Sequence, residues 1–185
     1  MFKFIAIALI AAGCLGVGLF SRNQADMRFF NSEPRSFDAT VLDELPTMDN
    51  ITLDQAESAD FAVIAHVEQV SCRTCVDREL AALQQLSHSL QGKLDSLLVA
   101  SDAGFTENGK VSKDLVDLRR VGRLSFPVLL ENVRGEAGLG PLFNLSLWDR
   151  NRGEIVFRYY PQTSRDDLWP VFEKKVKTYI RAAAR

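Results

Sequence analysis

Three adjoining pieces constrain this chain more than anything else in it: an apolar run of strand length, Phe61-Ala62-Val63-Ile64-Ala65-His66-Val67, then Cys72-Arg73-Thr74-Cys75, then apolar residues at Val76, Leu80, Leu83, Leu86 and Leu90. A run that is apolar at nearly every position fits a central strand covered on both faces. The later spacing of three and four draws one stripe along a helix that ends near Gly92. Strand, CxxC and helix therefore follow one another directly. That order matters chemically, because the free N–H groups and the macrodipole at a helix start stabilise a thiolate.

The rest of the chain is organised around one core. Its 185 residues, 46% hydrophobic and 25% charged, suffice for one well-packed domain and leave little for a second. A formal charge of -2, from 22 basic and 24 acidic residues, gives no electrostatic footprint for nucleic acid. Three cysteines are few for a disulfide scaffold.

The N-terminus reads as a targeting segment. Phe4 to Phe20 is uncharged and mostly apolar, preceded by Lys3 and followed by Ser21-Arg22-Asn23-Gln24, the layout of an export signal. Its length lies at the lower limit for spanning a bilayer, so residues 1–20 are expected to form a retained signal-anchor helix. Ile10-Ala11-Ala12-Gly13-Cys14 also resembles a lipobox, in which Cys14 would be acylated, although the apolar stretch continues to Phe20. Either reading places the remainder outside the cytoplasm. Residues 21–45 are polar and mixed in charge, include Pro34, and are expected to form a linker between membrane and domain.

From Pro46 to Arg185 short apolar runs alternate with helical patterns, which predicts an α/β domain with one central sheet and flanking helices. Leu94 to Ser101 is a second core strand, and Asp102 to Asn108 a turn. A helical stretch from Ser112 to about Val121 leads to the extended Phe126-Pro127-Val128-Leu129-Leu130. Leu142–Trp148 and Glu154–Tyr160 form a hairpin about the turn Asp149 to Gly153. A C-terminal helix is expected from Asp167 as N-cap, with Pro170 in its first turn and Leu168, Phe172, Val176 and Tyr179 or Ile180 buried.

This order of elements resembles the redoxin branch of the thioredoxin superfamily, especially membrane-anchored TlpA-type thiol-disulfide oxidoreductases. The resemblance spans about three quarters of the chain. Met48-Asp49-Asn50-Ile51-Thr52-Leu53 is similar to that family's opening hairpin, Leu98-Val99-Ala100-Ser101-Asp102 to its second central strand, Leu124-Ser125-Phe126-Pro127-Val128-Leu129-Leu130 to its "FPVLLD" strand, and Leu147 to Val156 to its terminal hairpin. It implies a thioredoxin-like fold with a central mixed sheet, no cofactor, and disulfide exchange with exported protein partners at a bacterial inner membrane. The domain would face the periplasm and draw electrons from a membrane reductase. It also implies a cis-proline opposite the cysteines, for which Pro141 has the right distance and Pro127 is the rival.

Within that frame Cys72 attacks and Cys75 resolves the mixed disulfide. Arg73 adds a positive charge that favours the Cys72 thiolate. Glu68, at the strand end, is a candidate proton acceptor for Cys75, while a solvated carboxylate is the plainer reading. Glu79 resembles an acidic residue that follows the family's CxxC, displaced by one position, and by default faces solvent. Ser71 and Glu68 stand where the family has aromatic residues, and the Arg73-Thr74 pair leaves the direction of electron flow open, with reduction favoured by the resemblance. Two other classes compete: a purely structural Cys72–Cys75 disulfide, and a metal-delivering or redox-silent adaptor using His66 with the cysteines, for which the ligand set is incomplete.

Overall fold

The computed structural model of the chain describes residues 29–48, 59–67, 73–90, 92–101, 106–107, 110–111, 115–117, 120, 124–131, 138–139, 143–161 and 168–183, with the backbone alone for 73–75, 106–107 and 110–111. In chain order the elements are β1 (Phe30–Asn31), β2 (Arg35–Ser36), α1 (Thr40–Glu44), β3 (Phe61–Val67), α2 (Arg73–Ser89), β4 (Leu94–Ser101), β5 (Thr106–Glu107), β6 (Lys110–Val111), β7 (Val128–Glu131), β8 (Asn144–Asp149), β9 (Glu154–Tyr159) and α3 (Trp169–Ala183). Among the described residues a seven-stranded sheet runs β1-β9-β8-β3-β4-β7, with β2 also on β9. β3, β4 and β7 are parallel, and β8 and β9 antiparallel, so the sheet is mixed. Beyond β7, the Pro46–Met48 segment closes the edge: Met48 N–H donates to Val128 O at 2.8 Å and Leu130 N–H to Pro46 O at 2.9 Å.

The strand alternation sorts the core into two layers. On one face Phe61, Val63, Ala65 and Val67 meet the α2 stripe of Val76, Leu80, Leu83 and Leu86 and the α3 stripe of Phe172, Val176 and Ile180. Tyr159 and Phe172 stack at 5.1 Å there, and Phe157 meets Phe172 edge-on at 5.9 Å. On the other face Ala62, Ile64, Leu97, Val99 and Leu129 meet Leu42 and Leu45 beside α1, together with Trp148 and Ile155. Burial of each such Leu, Ile or Phe side chain contributes about 1.5–3 kcal/mol. As the sequence predicts, Pro170 falls in the first turn of α3, where a missing N–H does no harm.

One expectation is corrected. Part of the segment taken for a linker is folded: β1 and β2 pair antiparallel with β9, and α1 buries Leu42. Phe30 stacks on Tyr159 at 5.1 Å, and Asp38 accepts hydrogen bonds from Thr40 N–H at 3.1 Å and Thr40 Oγ at 2.7 Å. Those bonds hold the Asp38 carboxyl below its ordinary range. The segment reads as polar because most of its described positions are exposed, and its strands are too short to display a period. Residues 1–28, including Cys14, lie outside the described residues; among the latter no helix is long and apolar enough to cross a membrane.

Polar staples close the end where β3 begins. Arg150 Nη1 donates to Asp95 Oδ2 at 2.6 Å and to Ala59 O at 2.5 Å, its guanidinium lies 5.0 Å from the Trp148 ring, and Ala59 N–H also donates to Asp95. Nearby, Asp149 accepts from Tyr179 OH at 2.9 Å and Arg152 N–H at 3.1 Å. These groups tie the β8–β9 turn to β3, β4 and α3.

Candidate functional site

β3 ends at Val67 and α2 begins at Arg73, so the strand delivers the chain to the cysteine motif and the helix continues from it. Cys75 is in the first turn of α2, and Cys72 is the residue before that helix in the sequence. No acidic residue stands in that first turn to oppose a thiolate. The motif is held by its flanks: β3 is buried at every position and hydrogen-bonded on both sides, and Val76, Leu80 and Leu83 seat α2 against the sheet. Cys72, Glu68 and Pro141 lie outside the described residues, as does the Cys75 side chain. Among the described residues no peptide bond is cis, which includes the one before Pro127.

Two ionisable groups depart from expectation. Glu79, read as solvent-facing, is only 1% exposed, and its Oε1 accepts from Arg78 Nη2 at 3.1 Å. The helix turns it toward the apolar layer, while Arg78 stays at the surface and brings the compensating charge. His66 is not turned toward α2 either: Ala65 and Val67 face that helix, and His66 shares the opposite face with Ala62 and Ile64. There its Nε2 lies 3.0 Å from Glu131 Oε2, with the two side chains 2% and 0% exposed.

Glu131 and the groups around this pair were missed in the sequence. Register places them together: His66 pairs with Val99 and with Asn144, and Ser101 with Glu131. The imidazole and the carboxylate thus reach toward each other across β4, from β3 and β7. Asn144 Nδ2 donates to Leu139 O at 3.2 Å, Ser146 Oγ to Asn144 Oδ1 at 3.0 Å, and Arg158 Nη2 to Gly138 O at 3.0 Å, so a loop backbone is pinned over the same face. The one available signal was a carboxylate ending an apolar strand, and nothing local says what it meets. Among the described residues no group of three His, Cys, Asp or Glu side chains is placed to hold a metal ion.

Comparison with known proteins bears on the fold. No family model matches the chain, and no curated protein matches it in sequence. Solved structures do. A thioredoxin-like protein in the oxidised form superposes with a TM-score of 0.55 at 13% identity, over 80% of this chain and 97% of that one. A thiol-disulfide isomerase from Corynebacterium glutamicum gives 0.51 at 16% identity, over 78% and 96%. An uncharacterised thioredoxin-like protein from Porphyromonas gingivalis gives 0.50 at 19% identity, over 80% and 93%.

Proposed function

From the thioredoxin-like fold of this chain, we propose that it is a thiol-disulfide oxidoreductase working through Cys72 and Cys75. The observation that carries this reading is the β3-to-α2 junction, which puts a CxxC at the start of a helix packed on the central strand. In the reducing direction the Cys72 thiolate attacks a partner disulfide, forming a mixed disulfide and releasing one partner thiol. Cys75 then displaces the second partner sulfur, leaving a Cys72–Cys75 disulfide and a reduced partner. A reductase must resupply two electrons and two protons for the next cycle. The Corynebacterium glutamicum neighbour is itself a thiol-disulfide isomerase, which accords with exchange chemistry on this fold.

The wider setting belongs to the same proposal. The Phe4–Phe20 run tethers the domain to a bacterial inner membrane, the clients are exported proteins, the electron donor is a membrane reductase, and Glu68 and Pro141 are assigned to the same site as the cysteines. The deciding experiment is a redox titration of the full chain in detergent, following alkylation of Cys72 and Cys75. A reversible two-electron couple below about -200 mV supports a reductant, and one near -120 mV an oxidant. No reversible couple would refute the enzyme and leave an adaptor.

A further inference from the structure

α3 packs on the sheet through Phe172, Val176 and Ile180, and its outward row is cationic. Lys174, Lys177 and Arg181 follow one another at spacings of three and four, with Lys174 and Arg181 exposed and Lys177 partly so. Lys175 flanks that row on the side of β1, its Nζ 5.3 Å from the Phe30 ring and 6.0 Å from that of Phe157. Arg152, 64% exposed, joins the same helix by donating to Tyr179 OH at 3.3 Å. Two carboxylates stand among these five cations: Glu173, paired with Lys177, and Glu154, 3.9 Å from Arg152. Among the described residues Lys174 and Arg181 have no ion-pair partner.

The other outward surfaces differ. α2 exposes Arg78, Gln85 and His88, a face of little net charge. Asp38, Asp43 and Glu44 are exposed beside and along α1, which covers the far side of the sheet. A helix face that is merely solvated carries both signs along it. Here charge is segregated across the sheet, with cations outward on α3 and carboxylates outward at α1.

The chain also enters the domain beside this helix. Phe29 O accepts from Tyr160 N–H at 2.9 Å, and Phe30 stacks on Tyr159 next to Lys175. Eight residues separate Phe29 from Phe20, the last of the apolar run. Fully extended, such a stretch reaches at most about 30 Å, little more than the length of α3 at about 22 Å. An apolar run held in a bilayer therefore keeps the β1–α3 side of the domain close to the headgroups.

We infer that the cationic row of α3 is a docking surface for the anionic phospholipid headgroups of the bilayer that holds the apolar run. This rests on the tether in the reading above and not on the chemistry of the cysteines. Attraction of Lys and Arg to a negative membrane surface fades within a Debye length, so the short tether is what makes a row of modest charge sufficient. An apolar segment and a basic patch together hold a protein where one signal alone is weak. Docking through α3 also turns the carboxylates at α1 away from the bilayer, where they meet no repulsion.

The test uses the full chain in vesicles of phosphatidylcholine, with or without phosphatidylglycerol; flotation reads attachment and acylation of amines reads contact. Relative to Lys93, exposed in the turn between α2 and β4, Lys174 and Lys177 should react at least about threefold more slowly in the anionic vesicles. The difference should vanish at roughly 1 M salt, where screening is nearly complete. Equal rates in chain that floats with both vesicles overturn the inference and leave the tether standing. Chain that fails to float with phosphatidylcholine vesicles overturns the tether, and the inference with it. Lys174→Glu combined with Arg181→Glu, both at exposed positions, should abolish the protection of Lys177; protection that persists would assign membrane contact to another face and overturn the inference as well.

Discussion

The two ends of the central strands are both rich in buried polar groups, yet they are built differently. Where β3 begins, hydrogen bonds accumulate on shared atoms: Asp95 Oδ2 serves both Arg150 and Ala59 N–H, and both carboxylate oxygens of Asp149 are engaged. A cleft of about 330 Å³ opens there, lined by Asp60, Phe61, Asp149, Asn151, Arg152 and Tyr179. Where β3 ends, His66 and Glu131 hold each other while His66 Nδ1 and Ser101 Oγ make no hydrogen bond. Trp148 Nε1 at the first end is likewise buried without a hydrogen bond, so the two ends differ in kind: shared bonds to the Asp95 and Asp149 carboxylates at one, a fully buried imidazole–carboxylate pair at the other. The first end thus holds the β8–β9 turn, while the second lies where the chain leaves β3 toward the cysteine motif.

Substitutions separate the two roles. Cys72→Ser should abolish reduction of insulin disulfides, a loss of at least about 1,000-fold for removal of a covalent nucleophile. The melting curve should hardly move, and retained turnover would break the comparison at its functional end. Glu131→Ala should destabilise the domain by about 3 kcal/mol in urea, since it removes one partner of a buried pair. Arg150→Ala should cost about 2 kcal/mol through loss of a charged bond to Asp95 and a bond to Ala59 O, with thiol chemistry unchanged. Altered Cys72 alkylation in this variant would show that the ends communicate.

The smallest effect concerns Tyr179. Tyr179→Phe removes hydrogen bonds to Asp149 and from Arg152, for about 1 kcal/mol. Burial, first among the causes, raises the Tyr179 phenol above its ordinary value of 10.0. The folded state therefore binds its proton more tightly than the unfolded state does. That contribution to stability is complete below pH 10 and declines as pH rises from there through the folded-state value. Urea denaturation across this alkaline range should show a shallower decline in Tyr179→Phe; an identical decline would mean that Tyr179 contributes nothing to it.

Several elements were legible because their signal is local. Continuous apolarity along Phe61–Val67, the three-four stripe of α2, the β8–β9 hairpin and Pro170 at the start of α3 each state their own structure, since side-chain periodicity is a property of one element. The succession of β3 and α2 was legible for the same reason. Three features were not. β1 and β2 are too short to show a period and exist because β9 offers an edge. Glu79 is buried by the way α2 docks, with Arg78 compensating its charge. The His66–Glu131 pair depends on the order β3-β4-β7.

By itself, then, the sequence determined the elements on either side of the cysteine motif: a covered strand and the helix that follows it. Tertiary structure alone decided which charged groups lie near one another at the end of the sheet. His66 and Glu131 are far apart in the chain and meet only because parallel pairing aligns the carboxyl ends of β3 and β7 on either side of β4. Register, a long-range property, turned a strand histidine and a strand-terminal glutamate into a buried pair.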